Sequence, residues 1–159
     1  MRESLRSRLR RWRYNWLPSY RGSGGWITYL AEDWREVKVV LPFNLWTRNY
    51  VGTTYCGSLY SAVAPFYVAM FVKNLGLDYV VWDKTVTMRF LKPVRTTMYA
   101  HLRLEPAELE AVRAELAERR ATERTFTIEL ADAAGAVHVA FEEVIHIRRQ
   151  RSAADMAAS

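Results

Sequence analysis

A single α+β domain, with an antiparallel sheet of about six strands wrapped around one long buried helix, is the fold class the sequence predicts. Three observations predict it. Residues 53–74 open with small and polar side chains and then turn almost wholly apolar and aromatic. A helix with no solvated face must be enclosed by other structure. Other segments alternate apolar and polar residues with the period of a strand, and two pairs of them are joined by turn-forming residues. Finally, 159 residues, 50% hydrophobic and 13% aromatic, suffice for one core and suit one domain.

The elements follow in order. Leu5, Leu9, Trp12 and Trp16 recur at helical spacing with arginines between them, which predicts a short basic amphipathic helix. Pro18 and the Gly/Ser run after Arg21 end it. Trp26–Ala31 and Glu36–Leu41 read as strands, joined in a hairpin through Glu32, Asp33 and Trp34; Pro42 stops the second. Residues 43–51 are a loop. The long helix runs from about Thr53 to Asn74, with Thr53 or Thr54 as its cap and Leu75-Gly76 as its stop. Pro65 lies inside it and removes the bond to Ser61, which predicts a kink there.

Tyr79–Leu91 and Thr97–Leu104 are further strands, separated at Lys92-Pro93. Pro106–Arg120 is a surface helix, with Pro at its start, Leu109, Val112 and Leu116 on one stripe, and Glu115 four residues before Arg119. Thr125–Ala131 and Ala136–Arg148 form the last pair, flanking the turn Asp132–Gly135. Glu143 interrupts the apolar face of the final strand, so a bulge is expected there. The chain thus divides into a basic segment (1–21), a body (22–150) and a small, polar tail (151–159) expected to fray.

Charge is distributed unevenly. Residues 1–21 hold seven arginines and one glutamate, which equals the whole net charge of +6; the rest carries 16 residues of each sign. The body is therefore neutral, and no recognised nucleic-acid motif is present, so no nucleic-acid partner is expected. Two readings of residues 1–16 stay open. In one the apolar stripe packs on the body and the arginines face water. In the other the segment makes a peripheral contact with anionic lipid or an acidic partner. The longest apolar run, Leu59–Val72, is broken by Ser61 and Pro65 and is short for a membrane span, and no signal-peptide pattern is seen. Cys56 is the sole cysteine, so no intrachain disulfide and no zinc-type cysteine cluster are expected, which fits a cytoplasmic protein.

The start of the long helix is the first chemical candidate. Its unpaired N–H groups and the positive end of the helix dipole suit a carbonyl or an anion. Yet Val37 to Leu77 contains no Asp or Glu. Cys56 has no histidine near it in sequence. His101, His138 and His146 lie on strands at spacings unlike those of metal ligands, so no metal and no cofactor is expected.

Asn49-Tyr-Val-Gly52 followed by Tyr55-Cys-Gly57, Arg89-Phe-Leu-Lys-Pro93 and the two closing strands resemble the hot-dog fold of acyl-CoA thioesterases and acyl-thioester dehydratases, over Trp26 to Arg148. Arg48–Gly52, Gly57–Tyr60, Pro65–Tyr67 and Val81–Lys84 are similar to an uncharacterised bacterial thioesterase-like subfamily. The resemblance implies a homodimer or dimer of dimers whose sites are built from two subunits. It also implies that the helix N-terminus, at the backbone of Cys56 and Gly57, polarises a thioester carbonyl while a carboxylate activates water or attacks.

In such enzymes that acid often sits on the helix, and the matching position here is Ala64, with Tyr55 where a histidine is usual. Asp83 is then the nearest alternative acid, with Asn49 orienting the carbonyl or water. Tyr55, Ser58, Tyr60, Ala64, Phe66 and Tyr67 would line the acyl site. Arg89, Lys92 and Arg95 would meet the phosphates of an acyl-CoA. Three readings stay open: a thioesterase with its acid supplied from elsewhere, a non-catalytic binder of acyl-CoA or fatty acyl chains, and a structural dimer.

Overall fold

The computed structural model describes residues 4–150, so the tail expected over 151–159 lies outside the described residues. Two short helices come first, α1 (Leu5–Asn15) and α2 (Pro18–Arg21). The hairpin β1 (Trp26–Leu30) and β2 (Glu36–Leu41) follows, then the central helix in two pieces, α3 (Cys56–Val63) and α4 (Pro65–Leu75). The rest is β3 (Tyr79–Phe90), β4 (Met98–Arg103), the surface helix α5 (Pro106–Glu118), β5 (Ala121–Ala131) and β6 (Val137–Arg149). The six strands form one sheet in the order β1-β2-β4-β5-β6-β3, antiparallel throughout.

The sheet wraps the central helix as the alternation requires. Val37, Val39 and Leu41 of β2, Met98, Ala100 and Leu102 of β4, and the odd-numbered residues 139–147 of β6 all turn inward. They meet Leu59, Val63, Phe66, Met70 and Phe71 of α3 and α4 in one core. Cys56–Leu75 does have the length and mean hydropathy to cross a membrane, against the sequence reading; its burial against the sheet is what makes it a core helix.

The central helix departs from expectation at its start. It begins at Cys56, with Tyr55 at the cap position and no side-chain cap bond. Thr54 is occupied elsewhere: its N–H donates to the Val94 carbonyl at 2.8 Å, tying the loop after β3 to the helix start. Pro65 divides α3 from α4, but Ala64 keeps helical dihedrals and its N–H still bonds the Tyr60 carbonyl at 3.0 Å. Gly76, at φ 96°, ends the element in a conformation that a side chain would resist.

Three further differences matter. β5 starts four residues before the expected Thr125, because Arg124 is held by Glu108 and by Glu115 (2.7 Å) of α5. The bulge expected at Glu143 lies on the neighbouring strand, between Asp83 and Thr85 of β3. β6 alternates without interruption, and Glu143 is a buried acid with 0% exposure.

The third concerns α1, which is docked the other way round from an ordinary amphipathic helix. Ser7 and Asn15 are its buried residues, while Leu5, Leu9, Trp12 and Trp16 face outward. The hydrogen-bonding needs of an edge strand explain this. The Asn15 amide accepts from Ile27 N–H at 2.8 Å and donates to the Ile27 carbonyl at 3.0 Å, and the Ser7 hydroxyl donates to the Leu30 carbonyl. α1 therefore closes the β1 edge. The opposite edge, β3, has no strand on its outer side among the described residues.

Candidate functional site

The loop before α3 is built almost entirely on its own hydrogen bonds. Buried Thr47 donates its hydroxyl to the Pro42 carbonyl (2.7 Å), and its own carbonyl accepts from Tyr55 N–H (2.7 Å). Asn49 organises the next turn: its side-chain oxygen accepts from Val51 and Thr53 N–H, and its amide donates to the Thr53 hydroxyl at 2.9 Å. The expected role for Asn49, orienting a carbonyl or water, therefore meets a side chain already committed to its own loop.

At the helix start the Tyr55 ring lies over Gly57. A Cβ at Gly57 would meet that ring, so a larger residue there would push the exposed Tyr55 side chain aside. Backbone bonding begins at Ser58 and Leu59, whose N–H groups reach the Tyr55 carbonyl. Among the described residues no acceptor is paired with the N–H of Cys56 or Gly57. Cys56 is exposed, and Ser58 is buried. No histidine serves Cys56: His101 bonds Glu36 (2.6 Å), His138 bonds Asp132 (3.2 Å) and His146 bonds Glu123 (3.1 Å). A Cys–His nucleophile is thus absent from the described residues.

Two carboxyl groups lie beside the helix, one to two turns further along. Tyr60, Ala64, Pro65 and Val68 face Val81, Trp82 and Asp83 across a cavity of about 320 Å³. Asp83 thus lines the same cavity as Ala64, the position where the resemblance places a catalytic acid. Behind it lies Glu143. Asp83 Oδ1 and both carboxyl oxygens of Glu143 are buried, and no N–H or hydroxyl among the described residues reaches them. The hydrogen bond open to them is the one between the two carboxyls, which needs a proton on one. Burial, first, and the adjacent Asp83, second, push the Glu143 carboxyl up to about 9. Glu143 is therefore the protonated partner at neutral pH. Burial and both carboxyls also raise the Tyr60 hydroxyl.

The remaining sequence candidates separate. Lys92 lines a shallow groove with Thr53, Thr54 and Val94, beside the helix start. Arg89 and Arg95 are exposed on either side of it in sequence. Tyr55 and Tyr60 are largely exposed, but Phe66 and Tyr67 are core, Tyr67 stacking on Phe126 at 4.1 Å and Phe66 packing against Tyr20 at 5.6 Å. Glu143 was missed as a site residue. Its inward register was visible in the alternation of β6, but an acid on that face read as an irregularity. Among the described residues, no three of His, Cys, Asp and Glu are grouped as a metal ion would require.

Comparison with known structures fits this architecture. PA5026 of Pseudomonas aeruginosa, a protein of unknown function described as a probable thioesterase, is 20% identical, with a TM-score of 0.78 over 93% of this chain and 99% of its own. Protein OLEI01261 of Chlorobaculum tepidum, of unknown function, is 14% identical, with a TM-score of 0.69 over 91% and 94%. Thioesterase HI1161 of Haemophilus influenzae is 12% identical, with a TM-score of 0.62 over 96% of both chains. At such identities the likeness establishes the fold alone, the hot-dog fold. No curated protein sequence matches the chain. The family model for a domain of unknown function, DUF4442, matches residues 7–147, nearly the whole described chain, and the protein belongs to that family.

Proposed function

We propose that this protein acts on acyl thioesters, acyl-CoA being the expected carrier, with Asp83 in the role that a helix-borne acid plays elsewhere. One observation carries the proposal: Asp83 and Ala64 line one cavity, with a protonated Glu143 buried behind Asp83. The N–H groups of Cys56 and Gly57 polarise the thioester carbonyl. Asp83 takes a proton from water as it attacks the carbonyl carbon, and the thiolate leaves. Arg89, Lys92 and Arg95 are the cations proposed to meet the phosphates of the carrier.

Within one chain these parts do not meet. Tyr60 and Ala64 are about 6 and 12 Å along the helix from Cys56, at 1.5 Å per residue. A second copy paired along the open β3 edge supplies what is missing, so the proposed working unit is a homodimer. The alternative is binding without hydrolysis, favoured by one specific feature: the Tyr55 ring stands over the helix start, where the resemblance implies a histidine.

Hydrolysis and binding measured across a series of acyl-CoA chain lengths separate these readings. Turnover of any thioester supports the first. Binding without turnover supports the second, and absence of both removes acyl-CoA as the ligand.

A further inference from the structure

We propose that α1 and the aromatic surface continuing from it form a docking face for an anionic lipid bilayer. The inference is independent of the acyl-thioester reading and starts from the inverted seating of α1. Its polar residues are buried in bonds to β1, and its apolar residues face out, from Leu5 at 80% exposure through Leu9 and Trp12 to Trp16 at 54%. Sheet packing does not account for that stripe, because the Ser7, Asn15, Arg10 and Arg11 bonds to the backbone of β1 and the β1–β2 turn hold the helix without it.

The stripe continues beyond the helix. Trp12 and Trp16 rings lie 6.1 Å apart, and the Arg21 guanidinium sits 5.2 Å from the Trp16 ring and 5.6 Å from Trp26. Trp26 in turn shares a groove with Trp46, which is 93% exposed beside an exposed Leu45. Four of the chain's six tryptophans therefore lie along one track with arginine interleaved. Large aromatic rings with one polar edge are suited to the depth at which headgroups meet acyl chains, and arginine keeps its charge at the phosphates while its stem lies on apolar surface.

Charge selects the occupant. All of the net charge of +6 resides in residues 1–21, while the body is neutral. A face combining aliphatic Leu with this excess of Arg matches an anionic membrane surface, which offers hydrocarbon and phosphate together. A second copy of the same face would set the +6 of one segment against the +6 of the other. A nucleic acid would leave Leu5, Leu9 and Leu45 in water. The face lies at the β1 end of the sheet, opposite the open β3 edge, so docking and dimer pairing do not compete.

The test uses the full chain with vesicles of phosphatidylcholine alone and of phosphatidylcholine with about one-third phosphatidylserine. The expected result is co-sedimentation with the anionic vesicles only, weakened by salt, and reduced at least tenfold by Leu9→Ser/Trp12→Ser. Both side chains are solvent-facing, and an unchanged thermal midpoint confirms that the variant is folded. A second variant, Trp46→Ser, weakens binding without touching α1. No sedimentation, equal sedimentation with both vesicles, or wild-type binding by both variants overturns the proposal. So does binding of single-stranded RNA, or self-association in solution, that the variants abolish while vesicles bind neither form.

Discussion

Glu143 shows how a single residue couples this fold to pH. Its carboxyl holds a proton up to about pH 9 in the folded chain, whereas in the unfolded chain it loses that proton near the ordinary glutamate value. Between those values the folded state binds more protons than the unfolded state, so this residue's contribution lowers stability as pH rises through the window. Glu143→Gln removes that dependence. It is expected to leave stability at pH 4 nearly unchanged and to raise it at pH 8 by about 1–3 kcal/mol, measured by denaturant titration at both pH values. A slope identical to wild type would show that Glu143 is ionised in the native state. Gly57 offers a second residue-scale test. Gly57→Ala must displace the exposed Tyr55 ring, so its gain in helix propensity, about 1 kcal/mol, should appear in full only in a Tyr55→Ala background, as a double-mutant cycle by chemical unfolding would show.

At the scale of elements, α1 is the clearest case of a feature half legible in sequence. The spacing of Leu5, Leu9, Trp12 and Trp16 marks a helix with a stripe, but the same periodicity describes a stripe turned inward or outward. What turns it outward is Asn15, whose amide replaces the missing strand partner of Ile27. Asn15→Ala leaves the buried Ile27 N–H without a partner and its carbonyl with the Arg11 guanidinium alone, at 3.3 Å, and is expected to cost about 1–3 kcal/mol by thermal or chemical unfolding. β3 and β6 teach a similar lesson. Alternation placed Val139, Phe141, Ile145 and Ile147 correctly and pointed Glu143 inward with them. The bulge lies at Lys84, in a strand whose alternation carries no sign of it, because bulge position is set by the strand across the ladder. The cap residues failed for a comparable reason: Thr54 bonds Val94, forty residues on, a contact no local pattern reveals.

For the whole molecule, the order of elements and the enclosed helix were legible because burial leaves a periodic trace in every strand. The candidate site was legible only in parts. Asp83 was a candidate through the resemblance, as the nearest acid to a stretch, Val37 to Leu77, that holds none. Its meeting with Ala64, and the proton held behind it by Glu143, depend on β3 lying against the central helix. The open β3 edge opposite the α1-covered edge predicts a dimer, expected in sedimentation velocity at micromolar concentration as a species of twice the chain mass. A monomer at that concentration would leave the helix start of each chain without an acid within reach.

The central claim is that Asp83 supplies the acid that Ala64 does not. Hydrolysis of a turned-over acyl-CoA by Asp83→Asn, with binding measured on the same preparation, tests it most directly. The account predicts a fall in turnover of about 10²–10⁴-fold with binding retained. Turnover equal to wild type by the folded variant would contradict it.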